Sequence, residues 1–270
     1  MSSVNLEVDQ VTLDRELEEL ANFSSGEPPG ITRVLFSKDD LEARRYLKEK
    51  CAEAGLQLQE DPVGNTFATW IGSEEGLPKV GTGSHIDAIP QSGKYDGTVG
   101  VLGGLEAIRA LQRSGFQPKN SIELLIFTAE EPTLFGIGCL GSRMLSGNLD
   151  PRPAELLQDP EGNTLKHFTN SSGFSGSMDQ VELPDNYYKA FVELHIEQGP
   201  SLEVGKLDLG IVTKIAAPST LRVTLEGEGG HAGAVCDHGR QRDNPGNTAV
   251  QRGAMGSGRD GRGGRRRAAG

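Results

Sequence analysis

The chain has 270 residues, enough for one large domain or two ordinary ones and for a substantial core. A formal net charge of -11 and a pI near 5.0 argue against a surface built for nucleic acid or an anionic membrane. Three cysteines, far apart and without a C-x-x-C pair, imply no disulfide framework. Met1 to Glu19 has neither a basic stretch nor an apolar core of the signal-peptide kind, and no run is long enough to span a membrane. A cytoplasmic location is expected, with the endoplasmic reticulum the alternative if the N-terminus is incomplete.

Residues 10–22 carry Val11, Leu13, Leu17, Leu20 and Ala21 at helical spacing and predict an amphipathic helix. Gly26 to Gly30 is a Pro/Gly loop. Asp39 or Asp40 is expected to cap a second helix that runs to Ala54 and is closed by Gly55. Leu56–Glu60 and Thr66–Ile71 alternate like strands around Pro62-Val63-Gly64-Asn65, a hairpin signal. Val80–His85 reads as a short strand and Thr98–Ser114 as a buried helix. Ile122–Phe127 is a continuous apolar strand of the kind covered on both faces. A helix is expected over Cys139–Leu145, and residues 148–186 are weakly patterned, with at most a helical turn. Further strands are expected at Ala190–His195, Gly210–Ile215 and Leu221–Glu226. Strands alternating with helices predict an α/β sheet with ligands at the strand C-termini.

Chemistry-bearing residues gather at those strand ends. His85 and Asp87 are two apart, so on extended chain they face the same way. Asp87 could orient the His85 ring, as carboxylates do behind metal-bound histidines. Asp96 precedes Gly97 in a short loop, where it is either a ligand or the N-cap of the following helix. Glu130 and Glu131 follow the buried run, where two acids are costly without a task. One can ligate a metal, and the other can act as the general base. By alternation Glu193, His195 and Glu197 share a strand face, either an active-site wall or an exposed edge. His231 lies among glycines that would let the backbone approach a ligand, while His167 and His238 read as surface residues. Imidazoles and carboxylates converging in this way suit a two-metal hydrolytic site.

Gly83–Asp87, Lys94–Gly97, Glu130-Glu131, Glu193–Gly199 and Gly229–Gly233 together resemble the amidase branch of the two-metal aminopeptidase-like superfamily. That branch holds the allantoate, N-carbamoyl-L-amino-acid and ureidoglycolate amidohydrolases. Ile31–Ser37, Ile86–Pro90, Ser92–Tyr95 and Glu131–Thr133 are most similar to the plant-type ureidoglycolate group. The resemblance implies an α/β, three-layer mixed-sheet, metallo-aminopeptidase-like catalytic domain with an α+β lid and dimerisation domain. It implies two divalent ions, manganese by preference and zinc as the alternative. His85 and His195 would bind one ion, Asp96 would bridge both, and Glu131 would bind the second. Glu130 would be the general base, Gln198 would contact substrate, and His231 would stabilise the oxyanion across a homodimer. The expected reaction takes ureidoglycolate to glyoxylate, ammonia and carbon dioxide, within allantoin and purine catabolism. Allantoate or N-carbamoyl amino acids are the alternative substrates, and a non-catalytic metal-binding or interaction remnant is the alternative of another class.

The resemblance stops at Val235. The last 35 residues hold eight arginines, nine glycines and no Leu, Ile or aromatic side chain, a composition that cannot bury enough surface to fold. Either they form a basic interaction tail or they are read out of frame or across a mis-spliced junction, the second being the expectation. The expected layout is therefore a catalytic domain over 1–212 lacking its C-terminal part, the first strand and loop of a lid over 213–235, and a basic tail over 236–270. Leu134 stands where relatives commonly have Arg. No residue matches the family's further metal-binding His or its substrate-gripping Arg and Asn. The second ion site is thus expected to be incomplete and this chain's turnover impaired.

Overall fold

A computed structural model describes residues 6–215. The chain divides into two compact units, one ending at Pro200 and the other starting at Ser201. The first unit is built on a five-stranded mixed sheet in the order β2-β3-β6-β4-β7. Its strands are β2 (Gln57–Glu60), β3 (Thr66–Trp70), β4 (Lys79–His85), β6 (Ile122–Phe127) and β7 (Tyr188–Val192). β2, β3 and β6 pair antiparallel, whereas β4 lies parallel to both β6 and β7. A separate ribbon pairs β1 (Ile31–Arg33) with β5 (Ala88–Ser92).

The alternation of β6 explains the layers. Leu124 and Ile126 join one core with Leu17 and Leu20 of α1 (Gln10–Ala21), Ala43, Leu47 and Cys51 of α2 (Lys38–Glu53), and Val101, Leu102, Leu105 and Ile108 of α3 (Thr98–Arg113). Leu125 points the other way, into a core with Phe67, with Leu140, Met144 and Leu145 of α4 (Leu140–Leu145), and with Leu165 of α6 (Leu165–Ser171). Leu124, Leu125 and Ile126 thus each have a covered face, as a strand apolar on both sides requires. The architecture is a three-layer mixed α/β sandwich.

Several boundaries differ from expectation. Ser37, not Asp39 or Asp40, caps α2, its hydroxyl accepting the Asp40 N–H. Asp40 instead turns back to accept the Phe36 N–H at 2.9 Å and the Arg44 Nε–H at 3.0 Å, fully buried. Residues 148–186 contribute α5 (Pro151–Ala154), α6 and a 3-10 turn at Met178–Gln180. Ala154, Leu165, Phe174, Met178 and Val181 from this stretch are all buried in the second core, so sparse anchors suffice where pattern is weak. The ribbon β1/β5 was not expected. In the second unit α7 (Ser201–Gly205) is described, and 210–215 is not a strand. Ile211, Val212 and Ile215 are largely exposed, and no strand among the described residues pairs with them. The expected strand Leu221–Glu226, His231 and the tail 236–270 lie outside the described residues. No helix among the described residues is long and apolar enough to cross a membrane.

Candidate metal centre

The site forms where three adjacent segments end: β4 at His85, the turn after β6, and the chain after β7. Parallel strands put their C-termini on one edge, which is why residues far apart in sequence meet here. His85 is the last residue of β4 and nearly fully buried. The loop that carries Asp96 passes directly against its ring. A Cβ on Gly97 would lie 2.6 Å from His85 Nε2, and Gly97 has φ +64, so only glycine allows that approach. Gly97 is also the N-cap of α3, without a side-chain cap bond. The Asp96 carboxylate is therefore not spent on capping and faces the histidines instead.

His85, Asp96 and His195 each offer a ligand atom, and the three atoms lie within 4.8 Å of one another. Asp96 Oδ1 is 3.3 Å from His195 Nε2 and 3.8 Å from His85 Nε2. Both rings are held at their other nitrogen. His85 Nδ1 lies 3.0 Å from the carbonyl oxygen of Asp87, and His195 Nδ1 lies 2.9 Å from that of Ile196. A carbonyl can only accept, so each Nδ1 carries the proton and each Nε2 turns toward Asp96. That is how ligand histidines are prepared for a cation. The donor set of two imidazoles and a carboxylate suits a borderline divalent ion, so these residues fit a metal.

Glu130 and Glu131 do not end β6, which stops at Phe127, but follow a turn in which Ala129 has φ 55. The turn is clamped on three sides. Its first N–H, from Thr128, is accepted by Asn65 Oδ1 at 2.8 Å. The carbonyls of Thr128, Ala129 and Glu130 accept the N–H groups of Gly141, Leu140 and Cys139 at the start of α4. The N–H groups of Glu130 and Glu131 are both accepted by the buried Asp87 carboxylate, at 3.2 and 2.9 Å. Asp87 Oδ1 also lies 3.5 Å from His85 Nδ1. One carboxylate thus ties the glutamate turn to the histidine strand. From the opposite side the buried Arg33 donates to the carbonyls of Ile86, Phe23 and Leu20, fixing His85–Asp87 against the end of α1.

Charge at the site is unbalanced toward acid. Burial works against a charged His85 ring, but the Asp87 carboxylate and Glu130 outweigh it and hold its pKa at about 9. Burial and the like charge of Glu130 push Glu131 up to about 7, with Asp96 and Asp87 adding to the effect. Glu130 Oε2 is 3.8 Å from His85 Nε2, and its side chain is 40% exposed, so it can reach both the donor cluster and an incoming molecule. Burial, with Glu130 beside it, also pushes the Cys139 thiol up to about 11; its Sγ donates to Glu130 Oε1 at 3.4 Å.

The shared strand face expected for Glu193, His195 and Glu197 does not form, because β7 ends at Val192. Glu193 accepts the buried Ser84 hydroxyl at 2.6 Å, while His195 turns to Asp96. Gln198, expected against substrate, donates its amide to Asp96 Oδ2 at 2.8 Å. Arg33, Asn65, Ser84 and Cys139 were not singled out in the sequence as parts of this site. Arg33, Asn65 and Ser84 reach partners tens of residues away, at Ile86, Thr128 and Glu193, and no local pattern announces them.

A family model, peptidase family M20/M25/M40, matches residues 81–257. The chain is 52% identical over 237 residues to a ureidoglycolate hydrolase of Arabidopsis thaliana, covering 86% of this chain and 50% of that protein. It is 37% identical over 219 residues to an allantoate amidohydrolase of Bacillus subtilis, covering 81% of this chain and 53% of that protein. A crystal structure of AtUAH in complex with glyoxylate superposes with a TM-score of 0.79 at 51% identity, covering 86% of this chain and 56% of that one. The chain spans about half the length of the curated relatives it matches.

Proposed function

The chain belongs to peptidase family M20/M25/M40, and on that premise we propose that its site serves a metal-dependent amidohydrolase that cleaves a ureido C–N bond. Ureidoglycolate is the substrate in this reading, and glyoxylate, ammonia and carbon dioxide are the products. The observation that carries it is the convergence of His85, Asp96 and His195 on one point, with the glutamate turn anchored beside them. The similarity to a ureidoglycolate hydrolase over most of this chain supports the substrate.

His85, Asp96 and His195 would hold one divalent ion, and Asp96 with Glu131 a second, manganese in preference to zinc. When bound, the ions polarise the scissile carbonyl and make water a usable nucleophile at neutral pH. The protein's own groups do the rest. Glu130, within reach of the donor cluster and open to solvent, takes the proton of the attacking water and returns it to the leaving nitrogen. Asp87 keeps both glutamates and the His85 ring in register and reacts with nothing itself. Gln198 would contact the ureido acid. His231 would stabilise the oxyanion within a lid over 213–235, contributed across a homodimer, with the catalytic domain over 1–212. Allantoate and N-carbamoyl amino acids are the second reading, favoured by the similarity to an allantoate amidohydrolase at 37% identity.

The test is a chimera in which residues 6–212 replace the matching half of the Arabidopsis relative. Ammonia release is followed with ureidoglycolate, allantoate and an N-carbamoyl amino acid. The expected result is preference for ureidoglycolate, with Glu130→Gln lowering turnover by roughly two to four orders of magnitude while manganese stays bound. Near-normal turnover in Glu130→Gln would overturn the base assignment, and preference for another ureido compound would overturn the substrate.

A further inference from the structure

His85 and His195 come from different places in the fold, and the spacing of their rings decides whether one ion can meet both. The ring centroids lie 6.2 Å apart, with the planes 26° from parallel. His85 is fixed as the last residue of β4. His195 has no such support, because the ladder between β4 and β7 ends at the pair Thr82–Val192 and residues 193–197 lie in no strand. One side-chain bond spans the gap. Ser84, with no exposed surface, donates its hydroxyl to Glu193 Oε1 at 2.6 Å. The donor adjoins one ligand histidine, and the acceptor lies just before the other. Helix α3 supports the same crossing. A Cβ on Gly100 would lie 2.4 Å from the Leu194 carbonyl oxygen and 2.6 Å from Ser84 Cβ, so the chain between Glu193 and His195 runs tightly against the helix beside Ser84.

Glu193 is itself exposed, and replacing an exposed side chain ordinarily changes little. Here its carboxylate holds a donor that is buried away from solvent, and a hydrogen bond to an ionised acceptor is stronger than one between neutral groups. We propose that Ser84 and Glu193 are a positioning pair. Their bond carries the alignment of β4 past the end of the ladder and sets His195 at the distance from His85 that one cation needs. Neither residue ligates the ion. Without the bond the chain after Val192 is released, and His195 is the ligand that loses its place. This inference rests on the metal reading above.

The experiment uses the full 270-residue chain and manganese alone, with folding checked by circular dichroism. Equilibrium dialysis gives the affinity, and pulsed Mn(II) spin resonance counts the imidazoles coupled to the ion. Ser84→Ala removes the donor and keeps the Glu193 charge. Glu193→Ala removes the acceptor at an exposed position, so it serves where Ser84→Ala fails to fold. Glu193→Gln removes the charge and keeps an oxygen that accepts. The expected result is a loss of affinity of about tenfold in Ser84→Ala and in Glu193→Ala, the low end for groups that support metal ligands. Both should show a single coupled imidazole where the unaltered chain shows a pair. The double variant should lose no more than either single one, since each removes the same bond. Glu193→Gln should stay closer to the unaltered chain than to Glu193→Ala and keep both imidazoles. Unchanged affinity in both alanine variants overturns the proposal, as does a weakened variant that still couples both imidazoles. A Glu193→Gln variant as weak as Glu193→Ala also overturns it, because the charge and not the hydrogen bond would then matter. If the unaltered chain takes up no manganese, or His85→Ala binds it equally well, the metal reading itself fails and takes this proposal with it; that result is distinct from any outcome at Ser84 or Glu193.

Discussion

Asp87→Asn should damage both stability and metal binding, because one buried side chain serves two segments. The carboxylate accepts N–H groups from Glu130 at 3.2 Å and Glu131 at 2.9 Å and sits 3.5 Å from His85 Nδ1, with no exposed surface. Asparagine brings one acceptor and one donor, so one of the two glutamate N–H groups meets an NH2 in place of an oxygen. Losing one hydrogen bond to a charged acceptor and leaving its donor poorly satisfied costs about 3 kcal/mol. For a unit of this size that is a fall of roughly 6–12 °C in melting temperature. The glutamate turn loosens, the His85 ring loses its carboxylate neighbour, and manganese affinity should drop roughly ten- to a hundredfold. Trp70 is the chain's one tryptophan and packs against the first core. Its fluorescence can follow urea unfolding while spin resonance reports free Mn(II). A change below about 0.5 kcal/mol, the size of an ordinary surface substitution, together with unaltered manganese affinity, would refute the role given to Asp87.

Gly83→Ala should prevent normal folding, because the added Cβ would lie 1.9 Å from the backbone oxygen of Leu125 at φ +144; soluble yield and circular dichroism read it. Cys139, its thiol held up at about 11 against an ordinary 9.0, should alkylate roughly a hundredfold more slowly than a free thiol near neutral pH. Glu130→Gln should recover part of that rate, burial holding back the rest, and an unchanged rate would count against the contact. Without metal, stability should fall as pH rises. His85, raised from 6.5 to about 9, contributes fully below pH 6.5 and loses its contribution through pH 9, worth at most ~3 kcal/mol. Glu131, raised from 4.5 to about 7, adds a loss of the same sign between those values. Urea midpoints in a chelator from pH 5 to 9.5 would show the decline, and flat midpoints would contradict it.

Much of the fold was legible because its signals are local and strong. The run Ile122–Phe127 read as a strand of the kind covered on both faces, and the helices α1 and α3 announced themselves by spacing. His85 ends β4, and Asp96, Glu130, Glu131 and His195 follow within four residues of a strand's end, where parallel topology collects ligands. What could not be read depends on partners distant in sequence. The ribbon β1/β5 is short, contains Pro90 and exists only through pairing across some 55 residues. Asp40 looked like a cap because nothing nearby shows Arg44 burying beside it. Alternation extended β7 too far, since the pattern around His195 continues after the ladder has ended at Val192. Asn65 and Arg33 fix the site through backbone groups, and backbone groups leave no trace in a sequence.

The central claim is that His85, Asp96 and His195 form a metal centre beside Glu130. Anomalous diffraction at the manganese edge from crystals of the manganese-loaded chain tests it most directly. The account predicts the strongest anomalous peak within ligand distance of His85 Nε2, Asp96 Oδ1 and His195 Nε2, absent from His85→Ala crystals. A loaded crystal with no peak there, or with its strongest peak among other residues, would contradict it.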